Sequence, residues 1–320
     1  MLLLDFINVG NGDAILIRET DKKNNQNQFS MLIDCGHDSL IRDDHPENLD
    51  PRSCRIYAGD FLKKLNLKYL DILIITHFHR DHVGGLNRVL DAVRVDKLIT
   101  TYMPPADLDF PDLDPDGDNN LPRTPRNVLR NLNFFAGALK NHPGRVKEFL
   151  ELTGNNKRLR FNLTDELYMD MDFAEEMLYQ AQKRVFDDAF HGIRDSSALM
   201  RWSRYFNVTS LRQRLYYHGK EIVMGGDLYG TLWDRDTTTP CDILKLPHHG
   251  SITSATRKFL EQLNPKIIVV SVAAGRPDER PHPAIVNLMR EFTDEIYFTD
   301  AVELPGREPV FHESVHIEIE

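Results

Sequence analysis

The chain has 320 residues, of which 41% are apolar and 28% charged. This composition excludes low-complexity and fibrous classes, offers no apolar run long enough for a transmembrane helix, and permits one large α/β domain or two small ones. Its formal net charge of −10 works against non-specific nucleic-acid binding, which rests on Lys and Arg neutralising phosphates, although bound metal ions would restore positive charge locally. The three cysteines, Cys35, Cys54 and Cys241, are odd in number and lack CxxC spacing, so neither a disulfide framework nor a structural zinc site is expected. All three are expected to be reduced, with Cys35 and Cys241 partly buried.

The N-terminal MLLLDFINVG lacks a basic leader and its apolar run is too short for a secretion signal, so it reads as a first strand of a cytoplasmic protein. Strands are expected over 2–8 and 14–18, joined by the hairpin signal Gly10-Asn11-Gly12, and over 29–33, with Asp34 at the end of the last. A short helix follows over 58–65. Residues 69–76 (YLDILIIT) form an unbroken apolar run, read as a buried strand that delivers the hexapeptide HFHRDH at 77–82. After Gly84 and Gly85 the apolar positions take helical spacing, and 95–101 returns as a strand.

From Pro104 to 188 the character changes. LDFPDLDPDGDNNLP is acidic and proline-punctuated, hence loop, while NVLRNLNFFAGALK, GRVKEFLEL and DFAEEMLYQAQKRVF have helical periodicity. We read 104–188 as a helical insertion within a single domain spanning 1–320; it either packs a small core of its own or serves a substrate or partner. Strands resume at 197–202, 210–217, 220–224, 242–246 and 266–271, with helices over 254–263 and 283–291. Arg201, Arg204, Arg212 and Arg214 either line a groove or form a solvated strand face. Periodicity alone gives a mixed α/β fold.

HFHRDH reads as HxHxDH and packs four metal-ligand types into one turn. His77 and His79 alternate and can point at one ion while Asp81 and His82 point at a second; imidazole and carboxylate suit zinc, manganese or iron. A two-metal centre needs more ligands, and later strand ends offer them. Asp227 follows the strand 220–224 and a Gly-Gly pair, and His248 and His249 follow DILKLP and precede Gly250-Ser251. His282 lies between prolines in RPHP, which excludes a mid-helix position. No GxSxG or Cys/His signature supplies a protein nucleophile.

HFHRDHVGG after an apolar strand resembles the metal-binding signature of the metallo-β-lactamase superfamily. DFINVGNGDAILIR, RDSSALM, MGGD, DILKLPHHGS and RPHP narrow the resemblance to its ComEC-like branch, the hydrolase domain of competence DNA-internalisation proteins and its stand-alone relatives. The resemblance implies a four-layer αβ/βα sandwich and two divalent ions, zinc or manganese, with magnesium also compatible. It implies that Asp227 bridges both ions, that Asp34 supports the ligand loop by hydrogen bonding, and that one of His248 and His249 completes the second ion's shell while the other faces substrate. We assign His249 as ligand and His248 as phosphate contact or leaving-group acid, the reverse order staying open.

Where many relatives carry a third histidine for the first ion, RDSSALM places Asp195, with Ser197 beside it; His191 lies four residues off. An oxygen ligand there tilts the preference from zinc toward manganese or magnesium. His282 matches a histidine at the cleft rim and joins Asp81 and His248 as a candidate catalytic residue, with a helix cap or loop packing as its plain alternative; the Ser271 hydroxyl is a weaker candidate. The implied reaction is hydrolysis of a phosphodiester in DNA or RNA by metal-activated water. Two rivals stay open. One is a small-molecule phosphodiesterase with the insertion as lid, which the acidic balance favours. The other is a partner-regulated subunit, defence-related in one reading, docking a protein through NLNFFAGAL and EEMLYQAQKRVF. A membrane partner is not expected, nor is β-lactam hydrolysis in a chain without an export signal.

Overall fold

The computed structural model describes residues 1–320 except 24–25, 42–51, 106–120, 154–157, 234–238, 276–279 and 307. One sheet contains β1 (Leu2–Ile7), β2 (Ile15–Thr20), β3 (Asn27–Ile33), β4 (Tyr69–Ile74), β5 (Arg94–Thr100) and β6 (Val146–Glu151). The other contains β7 (Arg158–Asn162), β8 (Leu167–Asp172), β9 (Arg212–Tyr217), β10 (Lys220–Met224), β11 (Ile243–Lys245), β12 (Ile267–Val270) and β13 (Ile296–Phe298). The last strand, β14 (Ser314–Ile319), joins the first sheet, giving the orders β14-β1-β2-β3-β4-β5-β6 and β13-β12-β11-β10-β9-β8-β7. Strands β3 to β6 run parallel, as do β10 to β13, and the remainder of each sheet is antiparallel.

Strand alternation sorts the apolar residues into layers. Ile15, Ile17, Met31 and Ile33 meet Met169, Leu215, Ile222 and Met224 between the sheets. Leu16 and Leu32 point the other way, under α1 (Ala58–Lys64), α2 (Arg80–Val83), α3 (Leu86–Ala92), α4 (Arg123–Asn141), α5 (Glu176–Phe190) and α6 (Ser196–Tyr205). Val223, Leu244 and Ile268 face α7 (Gly230–Trp233), α8 (Arg257–Leu263) and α9 (Pro283–Arg290). The four-layer αβ/βα sandwich expected from the sequence is therefore present. Each fully buried aliphatic side chain of these layers contributes about 1.5–3 kcal/mol.

Two expectations need correction. Residues 197–202, expected as a strand, lie in helix α6: Asp195 caps its first turn by accepting from the backbone of Ser197 and Ala198, and Ala198, Leu199 and Trp202 form its buried stripe. GRVKEFLEL, expected as helix, supplies β6, which pairs with β5. The stretch 104–188 thus brings the helices α4 and α5 but also β6, β7 and β8, which extend both sheets, so it is not purely helical. Its acidic loop falls largely outside the described residues. Cys35 and Cys241 are buried, Cys54 is half-buried, and all three are free. Among the described residues no helix is long and apolar enough to cross a membrane.

Candidate metal centre

The parallel strands of both sheets end at one place, the edge where α/β sheets present ligands. Asp34 follows β3, His77 follows β4, Asp227 follows β10, His249 follows β11 and Ser271 follows β12. The HFHRDH loop holds its shape through residues on both of its faces. Phe78 points into an aromatic cluster, its ring centroid 5.2 Å from Phe135, 5.9 Å from Phe186 and 6.1 Å from Tyr102. His77 and His79 therefore face the opposite side together, with Nε2 of the first 3.1 Å from Nδ1 of the second. Helix α2 then turns Asp81 and His82 toward the same cleft. Gly12 permits the N-terminal hairpin to lie against this turn: at φ +109° it is in a glycine region, and a Cβ there would sit 1.7 Å from the Asp81 carbonyl oxygen.

Among the described residues ligating atoms form four groups, the atoms of each lying within 4.8 Å of one another; two contain Asp13 (with Asp227 and His249, and with Asp34 and His82), and the other two are His77 with His79 and Asp227, and Asp81 with His82 and His249. Asp227 serves both. Its Oδ2 is 3.9 Å from His77 Nε2, and its Oδ1 is 3.4 Å from His82 Nε2 and 3.2 Å from His249 Nε2. Asp81 Oδ2 lies 3.5 Å from His249 Nε2.

The far nitrogens of the histidines are all engaged, which fixes ring orientation and tautomer. His82 Nδ1 donates to Asp34 at 2.7 Å and His249 Nδ1 to the Ser271 carbonyl at 3.0 Å. His79 Nε2 lies 3.4 Å from the Ser203 carbonyl. His77 Nδ1 lies 3.1 Å from the Thr76 hydroxyl, which donates to Asp34 at 2.7 Å, so Asp34 steadies both groups.

Burial holds His77 and His79 below the usual histidine range, with the neighbouring His82 charge adding to the effect. At His82 and His249 burial acts the same way but is outweighed by carboxylates, Asp227 with Asp34 for the first and Asp227 with Asp13 for the second, so both are raised. Burial pushes the Asp81 and Asp227 carboxyls up, yet the facing imidazoles overcome it and hold both well below the ordinary carboxylate value.

These residues fit a pair of divalent ions. Buried His82 Nε2, His249 Nε2, Asp227 Oδ1 and Asp13 Oδ1 have no hydrogen-bond partner. Each such orphan costs about 1–3 kcal/mol unless something ligates it. Nitrogen and oxygen donors together suit zinc, manganese or iron.

Not every sequence candidate comes to the cleft. Asp195 is committed to capping α6, with Ser197 donating to it through Oγ at 2.8 Å; the residues contacting His79 are Ser203 and Phe206, at the opposite end of that helix. Neither Asp195 nor Ser197 joins the ligand groups, and His191 is exposed and bonds to the Asp187 carbonyl. The segment that reaches the centre instead is 206–210, where the Ser210 hydroxyl accepts from the Asp227 backbone N–H at 3.2 Å. Asn207 and Ser210 precede strand β9, whereas Asp195 and Ser197 open a helix.

His248 joins neither ligand group. Its Nδ1 meets Ser251 Oγ and Thr253 Oγ1 at 2.9 and 2.8 Å, its Nε2 lies 3.3 Å from Asn207 Nδ2, and burial pulls its pKa down to about 4. Both histidines of the pair are in left-handed backbone, at φ 50° and 55°. His282 is the N-cap of α9, its Nδ1 accepting from Ala284 at 3.2 Å, while its own N–H bonds the Gly250 carbonyl at 2.8 Å.

Sequence reasoning missed Asp13 and Lys245. Both are buried and they form an ion pair directly behind His249, whose Nδ1 is 3.5 Å from Asp13 Oδ1. The signals were present: a lone Lys inside the apolar strand ILKL, and a carboxylate immediately after the glycines of GNGD.

Residues 7–118 match the family model of the metallo-beta-lactamase superfamily. ComE operon protein 3 of Bacillus subtilis is 22% identical over 306 residues, covering 93% of this chain and 32% of that protein, so the chain spans about a third of its relative's length. Solved structures with a similar course include the metallo-beta-lactamase fold protein YhfI from Bacillus subtilis (10% identity, 99% and 100% of the two chains, TM-score 0.47). Human tRNase Z, short form, is another (11% identity, 100% of both chains, TM-score 0.43). The signature loop lies inside the matched segment, so it is residues 7–118 that carry the match to the metallo-beta-lactamase superfamily.

Proposed function

We propose that this protein is a two-metal phosphodiesterase that cleaves nucleic acid. The observation that carries the reading is Asp227, a buried carboxylate with one oxygen toward each ligand group, the arrangement that suits two adjacent ions. Bound divalent ions supply Lewis acidity, lowering the pKa of water toward about 7 and stabilising charge on a phosphoryl oxygen. The chain's own residues do the rest. His77, His79, Asp81, His82, Asp227 and His249 would hold the ions, Asp34 orients two of the imidazoles, and His248 would face substrate. The resemblance of the motifs to the ComEC-like branch of DNA-internalisation proteins supports this substrate class.

The mouth of the centre favours a polymer over a small diester. Helix α6 ends against His79 and exposes Arg201, Arg204 and Tyr205, cations and an aromatic ring suited to phosphates and stacked bases. The test is cleavage of plasmid, linear duplex, single-stranded DNA and RNA with Mn²⁺, Mg²⁺ or Zn²⁺, beside Asp81→Ala. Metal-dependent cutting lost in the variant is the expected result. Hydrolysis of bis-p-nitrophenyl phosphate with no cutting of any polymer would replace nucleic acid by a small diester, and inactivity toward every phosphodiester would defeat the reading.

A further inference from the structure

We propose that the end of the sandwich opposite the metal centre binds a linear organic diamine, with Glu19 as its inner anchor. Strands β2 and β9 both start beside the centre and run away from it, so their last residues lie at the far edge of the two sheets. Alternation puts Ile15, Ile17 and Glu19 on the face of β2 that looks across at the other sheet, and Leu215 and Tyr217 on the matching face of β9. The apolar layer between the sheets therefore ends in a carboxylate on one side and a phenol on the other.

Glu19 is 3% exposed and Tyr217 1%. Glutamate is almost never buried this far without a partner, because water is then lost from an ionised carboxylate with nothing in its place. Among the described residues no cation pairs with Glu19, and neither its Oε2 nor the Tyr217 hydroxyl has a hydrogen-bond partner. Both residues line a cavity of about 920 Å³, with Asp21, Asp165, Glu166 and His218 toward its rim.

The cations already present are engaged elsewhere. Lys22 lies 3.5 Å from Glu320, and the Met1 ammonium donates to the Thr20 carbonyl at 2.9 Å. His218 Nε2 is 3.0 Å from Glu166, and its ring stacks on Tyr217 with centroids 4.2 Å apart. Four carboxylates thus line the cavity against two permanent cations, Lys22 and the Met1 ammonium, which leaves two negative charges in excess.

Spacing selects the kind of cation. Glu19, Asp21, Asp165 and Glu166 enter none of the groups of ligating atoms that lie within 4.8 Å of one another, so they do not converge on a single metal ion. One deep carboxylate and several at the rim match a molecule with a positive charge at each end of a flexible chain. The inner ammonium, with three donors, bonds Glu19 and the Tyr217 oxygen, and the outer one meets the rim carboxylates. None of these residues belongs to the phosphodiesterase reading, so the two stand or fall separately.

The experiment titrates the full chain with 1,4-diaminobutane at low ionic strength, followed by calorimetry and by the thermal midpoint, beside butylamine, Ca²⁺ and three variants. One diamine is expected per chain, and Glu19→Gln, which keeps the shape, should weaken it about tenfold or more. Asp165→Asn in the wild-type background, and butylamine in place of the diamine, should each cost about threefold, as a rim contact does. Tyr217→Phe should fall between the two, and metal content at the centre should not change in any variant. Without amine, Glu19→Gln should melt at or above the wild type, since it removes an unpaired carboxylate; added diamine should then raise the midpoint of the wild type and not of the variant. Absence of stoichiometric binding to the wild type up to about 10 mM diamine would overturn the proposal. So would equal binding by Glu19→Gln and Asp165→Asn, which is diffuse attraction to an acidic surface, or Ca²⁺ binding that Glu19→Gln abolishes in a protein indifferent to the diamine, which is a metal site.

Discussion

The two ligand groups of the centre are supported by different parts of the molecule. His82 and His249 rest on Asp34 and the Ser271 carbonyl, at the ends of β3 and β12, inside the shared frame of the two sheets. His79 leans instead on the Ser203 carbonyl and the Phe206 ring, and Phe78 between the first two histidines is anchored by rings from α4 and α5. The second group therefore inherits the rigidity of the sandwich, whereas the first, tied to Asp34 through His77 and Thr76, depends in addition on how the helices of the 104–206 stretch pack. The difference teaches that a motif of six adjacent residues need not behave as one unit.

The largest effect expected tests what the groups share. Asp227→Ala should strip both ions and lower any hydrolytic rate by well over the about 10–100-fold that losing an outer support costs; metal analysis showing one ion retained per chain would contradict the bridging role. Phe78→Ala should break the symmetry, costing about 3–5 kcal/mol in denaturant unfolding and emptying the first group before the second. Equal loss from both would show that the aromatic anchor steadies the whole loop.

Proton linkage separates the groups more finely. His82 and His249 are raised above 6.5 in the metal-free protein, so an ion entering the second group displaces protons and its affinity climbs with pH, by about tenfold per unit for each proton released. His77 and His79 are lowered below 6.5 and are already neutral at pH 7, so affinity in the first group should stay flat above that value. Metal titrations at pH 6.5, 7.2 and 8.0 would reveal one pH-dependent and one pH-independent event. The smallest effect is assigned to Asp195→Ala, which should lower the thermal midpoint by a few degrees through loss of the α6 cap and leave metal content unchanged; loss of a metal would restore Asp195 to the ligand shell.

Much of the centre was legible because ligand chemistry is local. An HxHxDH turn, an Asp after Gly-Gly and an HHG after an apolar strand carry their meaning within a few residues. Elements decided by distant contacts were less so. VKEFLE fits either period, and only the free edge beside β5 makes it a strand, leaving Phe149 48% exposed. SSALMRWSRY suits a strand only if Asp195 is taken as a ligand of the first ion; as a helix-start signal Asp195 caps α6 instead. Asp13 and Lys245 stand 232 residues apart and acquire significance only when the sheets close over them.

The left-handed turn at His248 and His249 carries an evolutionary consequence. A side chain in that conformation costs roughly 1–2 kcal/mol per residue, a penalty glycine escapes. Selection for thermal endurance alone would drift toward glycine at position 248, whose ring ligates nothing in either group, and a library enriched only for heat resistance should collect His248→Gly. Retention of histidine there under combined selection for heat resistance and turnover would mark the position as one where the protein is held short of its stability optimum by the work it performs.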